Sequence, residues 1–183
     1  MKNAIKMILV LVIIGLVSGG VLVCVYNYAS PLIERNEEKA LREAVYKVLP
    51  QASSFREIIK DGIVLYEGID GGGNVIGYAF KAKGYGYQGE IELIAGIDAE
   101  LKELKGMEVL ESSETPGLGA GITEESFKKQ FGRLYVLPEI TFTKGKVSKE
   151  NEIQAITGAT ISTKAVVEIL NKEIVRIRAA FGK

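Results

Sequence analysis

The apolar positions of this chain change rhythm along its length. From Met7 to Ile33 no residue is charged, and the run MILVLVIIGLVSGGVLVCVYNYA would be apolar on every side of a helix. A bilayer-spanning helix takes roughly 20 such residues. Beyond it the apolar residues Ile33, Leu41, Ala44, Val45 and Val48 fall at helical spacing among charged neighbours. Ser30-Pro31 reads as a cap followed by a proline in the first helical turn, and Pro50 as a stop. A stalk helix over 30–50 is therefore expected after an anchor over 1–29.

From residue 51 the rhythm shortens to that of strands. GIVLYEGI and NVIGYAFKAKG flank DGGG, a hairpin signal. GEIELIAGID alternates, and GMEVLES is another short strand. TEESFKKQF reads as a short helix with Thr123 as its cap, TFTKGKVSK as a β segment with a Lys-Gly turn, and EIQAI as the last strand. The helical rhythm then returns in TKAVVEILNKEIVRIRAAF, where Val166, Val167, Leu170, Ile174 and Ile177 form one stripe. The expected class is α+β: an N-terminal transmembrane helix, then a mostly antiparallel sheet with a few helices over 51–183.

Composition narrows the chemistry. Lysine plus arginine equals aspartate plus glutamate, 23 each, among 183 residues. A neutral chain lacks the basic face that nucleic-acid binding needs, so no such partner is expected. There is no histidine and one cysteine, Cys24. Zinc, haem and iron–sulfur sites of the usual kinds lack ligands, and so do Ser-His-Asp and Cys-His catalytic arrangements. No metal-ligating and no catalytic residue is assigned. Demanding chemistry would come with an imported cofactor.

Lys2 and Lys6 precede the apolar run and ERNEEK follows it, so the positive-inside rule places the N-terminus in the cytoplasm and the rest outside. Tyr26 and Tyr28 would then sit at the outer interface. A cleaved signal peptide is the alternative, against which stand the length of the run and the lack of a clear A-x-A site. Val23 before Cys24 argues against lipidation. Gly15, Gly19 and Gly20 leave one flank small, which suits a partner helix or is simply tolerated in such spans.

Two glycine-bearing segments remain. In ETPGLGAG, Pro116-Gly117 suggests a type II turn, and the glycines let backbone approach a flat ligand. A plain surface loop is the other reading. AITGATIST crowds Thr157, Thr160, Ser162 and Thr163 at a helix start, where free N–H groups and the helix dipole attract phosphate. Gly158 would let a phosphate close to the backbone. Lys164 in the first turn is unfavourable at a positive helix end unless an anion binds there. No Gly-Lys pair precedes the hydroxyls, so a nucleoside triphosphate site is not expected. A capped helix with spare threonines stays open.

Taken together, an N-terminal anchor, ETPGLG in mid-chain and TGAT before the last helix resemble the FMN-binding subunits of redox-driven ion pumps. The closest resemblance is to the G subunits of Rnf ion-translocating ferredoxin:NAD oxidoreductases, relatives of the C subunits of sodium-translocating NADH:quinone reductases. It covers essentially the whole chain, including GYGYQGEIELIAGID ahead of the flavin loop. It implies FMN held by a phosphoester bond to Thr160, with Thr157, Gly158, Ala159, Ile161, Ser162, Thr163 and Lys164 around the phosphate. It also implies that Glu114, Thr115, Pro116, Gly117, Leu118 and Gly119 pack on the isoalloxazine. A separate flavin transferase would make the bond. Its recognition pattern has an aspartate six residues before the modified threonine, where this chain has Gln154. Family members often have a histidine at the position of Ser112.

The resemblance further implies an electron-relay subunit, not a catalyst alone, in a complex that couples electron flow between ferredoxin and NAD to Na+ or H+ movement. Its partners would be iron–sulfur membrane subunits and a second covalent-flavin subunit. Its flavin domain would lie outside the cytoplasm. The rival expectations are a free-standing membrane-tethered flavin reductase and a non-redox ligand-binding module.

Overall fold

A computed structural model describes residues 2–183. They divide into two compact units that meet between Arg42 and Glu43, each described by itself. In the first, helix α1 (Lys2–Val48) is long and apolar enough to cross a membrane. The large apolar side chains from Ile5 to Ile33 are exposed on all sides, as suits a surface that lipid rather than protein covers. The helix passes through Ser30 and Pro31, so the cap expected at Ser30 does not form. A proline removes one hydrogen bond but need not end a helix when strong helix formers continue beyond it. Here Leu32, Glu34, Arg35, Glu37, Glu38 and Lys39 do so.

The second unit begins with the last turns of α1. A six-stranded antiparallel meander follows: β1 (Ser54–Lys60), β2 (Ile63–Ile69), β3 (Val75–Tyr85), β4 (Glu90–Asp98), β5 (Glu103–Ser112) and β6 (Leu134–Tyr135), in that spatial order. The DGGG hairpin forms as expected between β2 and β3. Asp70 Oδ1 accepts the N–H groups of Gly72 (2.8 Å) and Asn74 (2.9 Å), which folds the turn back on itself. The edge strand β1 leaves little mark in the sequence because its residues alternate only between exposed and half-buried. An edge strand buries too little to show the period-two signal.

β4 is the centre of the fold, buried on both faces. On one face Leu93, Ala95 and Ile97 join Phe80, Leu104, Val166, Leu170 and Ile174 in the main core. Helix α3 (Thr160–Ala180) lies on this side. It approaches β3 so closely that a Cβ on Gly84 would overlap Ile169. On the other face, a Cβ at Gly96 would overlap the carbonyl of Val48, the last residue of α1. The sheet is thus clamped between α3 and the end of α1, which also buries Ala44 and Val45.

Between β5 and β6 the chain forms a 3-10 turn (Gly119–Thr123), then helix α2 (Glu125–Lys128) and a second 3-10 turn. Thr123 does not cap α2. Its hydroxyl donates back to the carbonyl of Ala120 (2.8 Å) and closes the preceding turn. β7 (Thr141–Thr143) and β8 (Glu152–Gln154) form a separate parallel pair. Asn171 of α3 holds this pair in place, accepting the N–H of Ile140 and donating to its carbonyl, both at 2.8 Å. β8 then delivers the chain to the start of α3.

Candidate functional site

Two segments that are far apart in sequence meet where α3 begins. The first, after β5, turns at Pro116-Gly117. The N–H of Leu118 donates to the carbonyl of Thr115 (3.2 Å), and Gly117 has φ +77°. This is the type II turn the sequence implied, with glycine where a positive φ is needed. The second leaves β8 through Ala155 and passes Gly158 at φ +81°. α3 begins at Thr160, with Ala159 in the cap position and no side-chain cap among the described residues.

The hydroxyls of this second segment divide the work. Thr163 is fully buried; its hydroxyl accepts the N–H of Ile156 (3.1 Å) and donates to the carbonyl of Ala159 (3.1 Å). It stitches the loop to the first turn of α3. Ser162, also buried, donates to Glu114 Oε2 at 2.6 Å. Thr157 is exposed, and Thr160 is half-buried. One threonine hydroxyl is therefore left at the helix start, partly enclosed, beside N–H groups that a helix of this kind leaves free.

Glu114 joins the two segments. Its side chain is only 6% exposed. Oε1 accepts the N–H of Gln88 at 3.0 Å from the β3–β4 hairpin tip, while Oε2 takes the Ser162 hydroxyl. Burial alone would push this carboxyl up. The Ser162 hydroxyl and the N–H groups of Gln88, Tyr87 and Gly89 together outweigh burial and hold it below the usual carboxylate range. A Cβ at Gly86 or at Gly119 would overlap the carboxylate, so both glycines are there for space.

Around this junction lies a cleft of about 440 Å³, lined by Tyr87, Glu114, Thr115, Leu118, Gly119, Gly158, Ala159, Thr160, Ile161 and Ser162. Cofactor sites span about 300–1,000 Å³. Its lip is apolar: Tyr87 is 69% exposed, Ile161 57% and Leu118 53%. Of the residues expected at a site, Pro116, Gly117, Thr157, Thr163 and Lys164 are not on this wall. Gly117 and Thr157 line a neighbouring hollow, with Gln154 and Gln130. Thr163 points inward, and Pro116 shapes the turn. Lys164 pairs with Glu168 one helical turn on, at 3.4 Å, so its charge already has a partner. Tyr87 carries no signal of its own in the sequence. It sits on a hairpin tip that the Gln88–Glu114 bond, across 26 residues, ties to the cleft.

A family model described as "FMN-binding domain" matches residues 86–174, which includes the whole cleft. The chain is 35% identical to the G subunit of the ion-translocating oxidoreductase complex of Methanosarcina acetivorans, over 99% of this chain and 98% of that one. It is 31% identical to the G subunit of the Na(+)-translocating ferredoxin:NAD(+) oxidoreductase complex of Acetobacterium woodii, over 94% and 91%. The chain belongs to the G-subunit family of ion-translocating oxidoreductase complexes. Its fold is that of NqrC from Shewanella oneidensis, at TM-score 0.56 and 18% identity, over 61% of this chain and 55% of that one. The C subunit of the Na(+)-translocating NADH-quinone reductase of Parabacteroides distasonis gives TM-score 0.54 at 23% identity, over 60% and 58%.

The cleft suits the cofactor in the family's name. The uncapped start of α3 offers N–H groups and a partial positive charge to a phosphate. The Thr160 hydroxyl stands beside it, and Tyr87, Leu118 and Ile161 offer apolar surface to a flat ring. The buried carboxylate of Glu114 is bonded on both oxygens, by the N–H of Gln88 and the hydroxyl of Ser162.

Proposed function

We propose that this protein is a membrane-anchored electron-transfer subunit whose FMN is bonded through its phosphate to Thr160. The reading rests on one observation above the others. Among the crowded hydroxyls of TGATIST, Thr160 lies on the cleft wall and no bond among the described residues claims its side chain, whereas Ser162 and Thr163 are committed to the fold. FMN, when bound, supplies one- and two-electron chemistry; the chain orients it and shapes the space around its ring. A covalent link removes the concentration dependence of binding, so a domain outside the cytoplasm does not lose its cofactor by dilution. A separate flavin transferase would form the bond.

The complex would couple electron flow between ferredoxin and NAD to the movement of Na+ or H+, as the names of its relatives say of theirs. Neighbouring iron–sulfur membrane subunits and a second covalent-flavin subunit would exchange electrons with this one. α1 would anchor the chain, with Lys2 and Lys6 on the cytoplasmic side and the flavin domain outside.

Co-expression with a flavin transferase tests the attachment. Yellow fluorescence should stay with the polypeptide through denaturing electrophoresis. Thr160→Val should abolish it, while the far-ultraviolet spectrum of the chain stays unchanged. Fluorescence that survives in Thr160→Val would move the bond to another side chain. A C-terminal reporter active only in the cytoplasm would reverse the topology.

A further inference from the structure

The β3–β4 hairpin ends in a tight tip. The N–H of Gly86 donates to the carbonyl of Gly89 (2.8 Å), which leaves Tyr87 and Gln88 at the apex. At the apex the N–H of Gln88 donates to Glu114 Oε1 (3.0 Å), and the neighbouring N–H groups of Tyr87 and Gly89 favour the charged form of that carboxyl. The other oxygen of Glu114 is bonded by Ser162, two residues beyond Thr160. The tip that carries Tyr87 is thereby tied to the first turn of α3, and Gly86 and Gly119 lack the Cβ atoms that would push the tie apart.

Tyr87 is the aromatic side chain of the cleft lining, and it is 69% exposed. Large apolar groups gathered at the lip of one cleft gain most by covering a flat ligand. We propose that Tyr87 is the aromatic wall against the isoalloxazine, and that Glu114 acts through it, as a positioning residue that fixes the hairpin tip. This rests on the cleft being the FMN site. It does not depend on which hydroxyl carries the phosphate. Tyr85 is a control: it is 82% exposed on the same hairpin but is not part of the lining.

The test uses the full-length chain, loaded with FMN and compared at equal bound flavin. An electron-rich phenol in contact with a flavin quenches its emission, and the contact shows in the visible circular dichroism. Tyr87→Leu should raise flavin fluorescence severalfold and weaken the visible dichroism. Tyr87→Trp should restore both, and Tyr85→Leu should change neither. Glu114→Gln should reproduce part of the Tyr87→Leu effect in the wild-type background and add nothing in the Tyr87→Leu background. Wild-type fluorescence and dichroism in Tyr87→Leu would overturn the wall. A Glu114→Gln effect of the same size in both backgrounds would overturn the positioning role. Peptide mapping of the flavin separates this proposal from the attachment. FMN found on a hydroxyl other than Thr160 would sink that reading while the spectra still decide on Tyr87, and a chain that takes up no flavin overturns both.

Discussion

The segments 114–119 and 157–163 both join glycine to hydroxyl residues, the first with two glycines and one hydroxyl, the second with one glycine and four hydroxyls, and the fold uses them in opposite directions. In the first, the leading residue is fixed: Glu114 is buried and bonded, and the chain then swings outward to an exposed Leu118. In the second, the trailing residues are fixed: Ser162 and Thr163 are buried and bonded, while Thr157 and Gly158 are exposed. The fixed ends are joined to each other through Ser162 and Glu114. The cleft opens between what is left free, and Thr160 lies at the boundary. Glycine differs too. At Gly117 and Gly158 it supplies a positive φ, whereas at Gly119 it supplies room.

That contrast ranks substitutions. Gly119→Ala should do most harm, because the new methyl group overlaps both Glu114 and Ser162 and forces the two fixed ends apart. Overpacking of this kind costs about 1–3 kcal/mol, and flavin loading should fall with it; chemical denaturation and flavin absorbance read the two effects. Ser162→Ala comes next. It leaves a buried carboxylate without its shortest donor, a loss of about 1.5–3 kcal/mol for a bond to a charged group.

Ser162→Ala also has a pH signature. Glu114 has its folded pKa below the ordinary 4.5. Its contribution is therefore present above about that pH and is lost as pH falls through the lower folded value. Without Ser162 the folded value rises toward the unfolded one. The destabilisation on acidification below 4.5 should become shallower in the variant than in the parent. Denaturation midpoints measured across that range check the sign; a steeper acid loss in Ser162→Ala would contradict it.

Gly117→Val should act more gently on packing, since a side chain there meets open space. Its cost is the positive φ, about 1–3 kcal/mol. The flavin should still attach, with a shifted redox titration as the turn relaxes. Lys164→Ala should do least. Its ion pair with Glu168 is an exposed i,i+4 pair, worth about 0.3–0.5 kcal/mol, and flavin loading should not change. Failure of Lys164→Ala to load would return that lysine to the site.

The local part of this site was legible in the sequence. Pro116-Gly117 marked its own turn, because a fixed φ followed by a residue free to take positive φ admits few alternatives. The last helix and the β2–β3 hairpin showed through periodicity and turn residues for the same reason. The long-range part was hidden. Nothing in the residues near Ser162 says that its hydroxyl meets Glu114, 48 positions away, and nothing near Tyr87 says that its hairpin tip is tied to the same carboxylate. The pairing of Lys164 with Glu168 was not legible either, because Glu168 is an ordinary helix-surface residue. Gln154, at the position where the transferase pattern has aspartate, has its backbone bonded on both sides by the Gln130 side chain and its own side chain exposed. That leaves its side chain open to a partner.

The central claim is that one hydroxyl among several carries the cofactor, and the chain offers a direct measurement of it. Trypsin should release residues 150–164, bounded by Lys149 and Lys164, as one peptide containing Thr157, Thr160, Ser162 and Thr163. Fragmentation mass spectrometry of this peptide, from protein matured with a flavin transferase, should place the flavin phosphoryl group on Thr160 alone. The same group on Thr157, Ser162 or Thr163, or a peptide bearing no flavin while the protein remains yellow, would contradict the account.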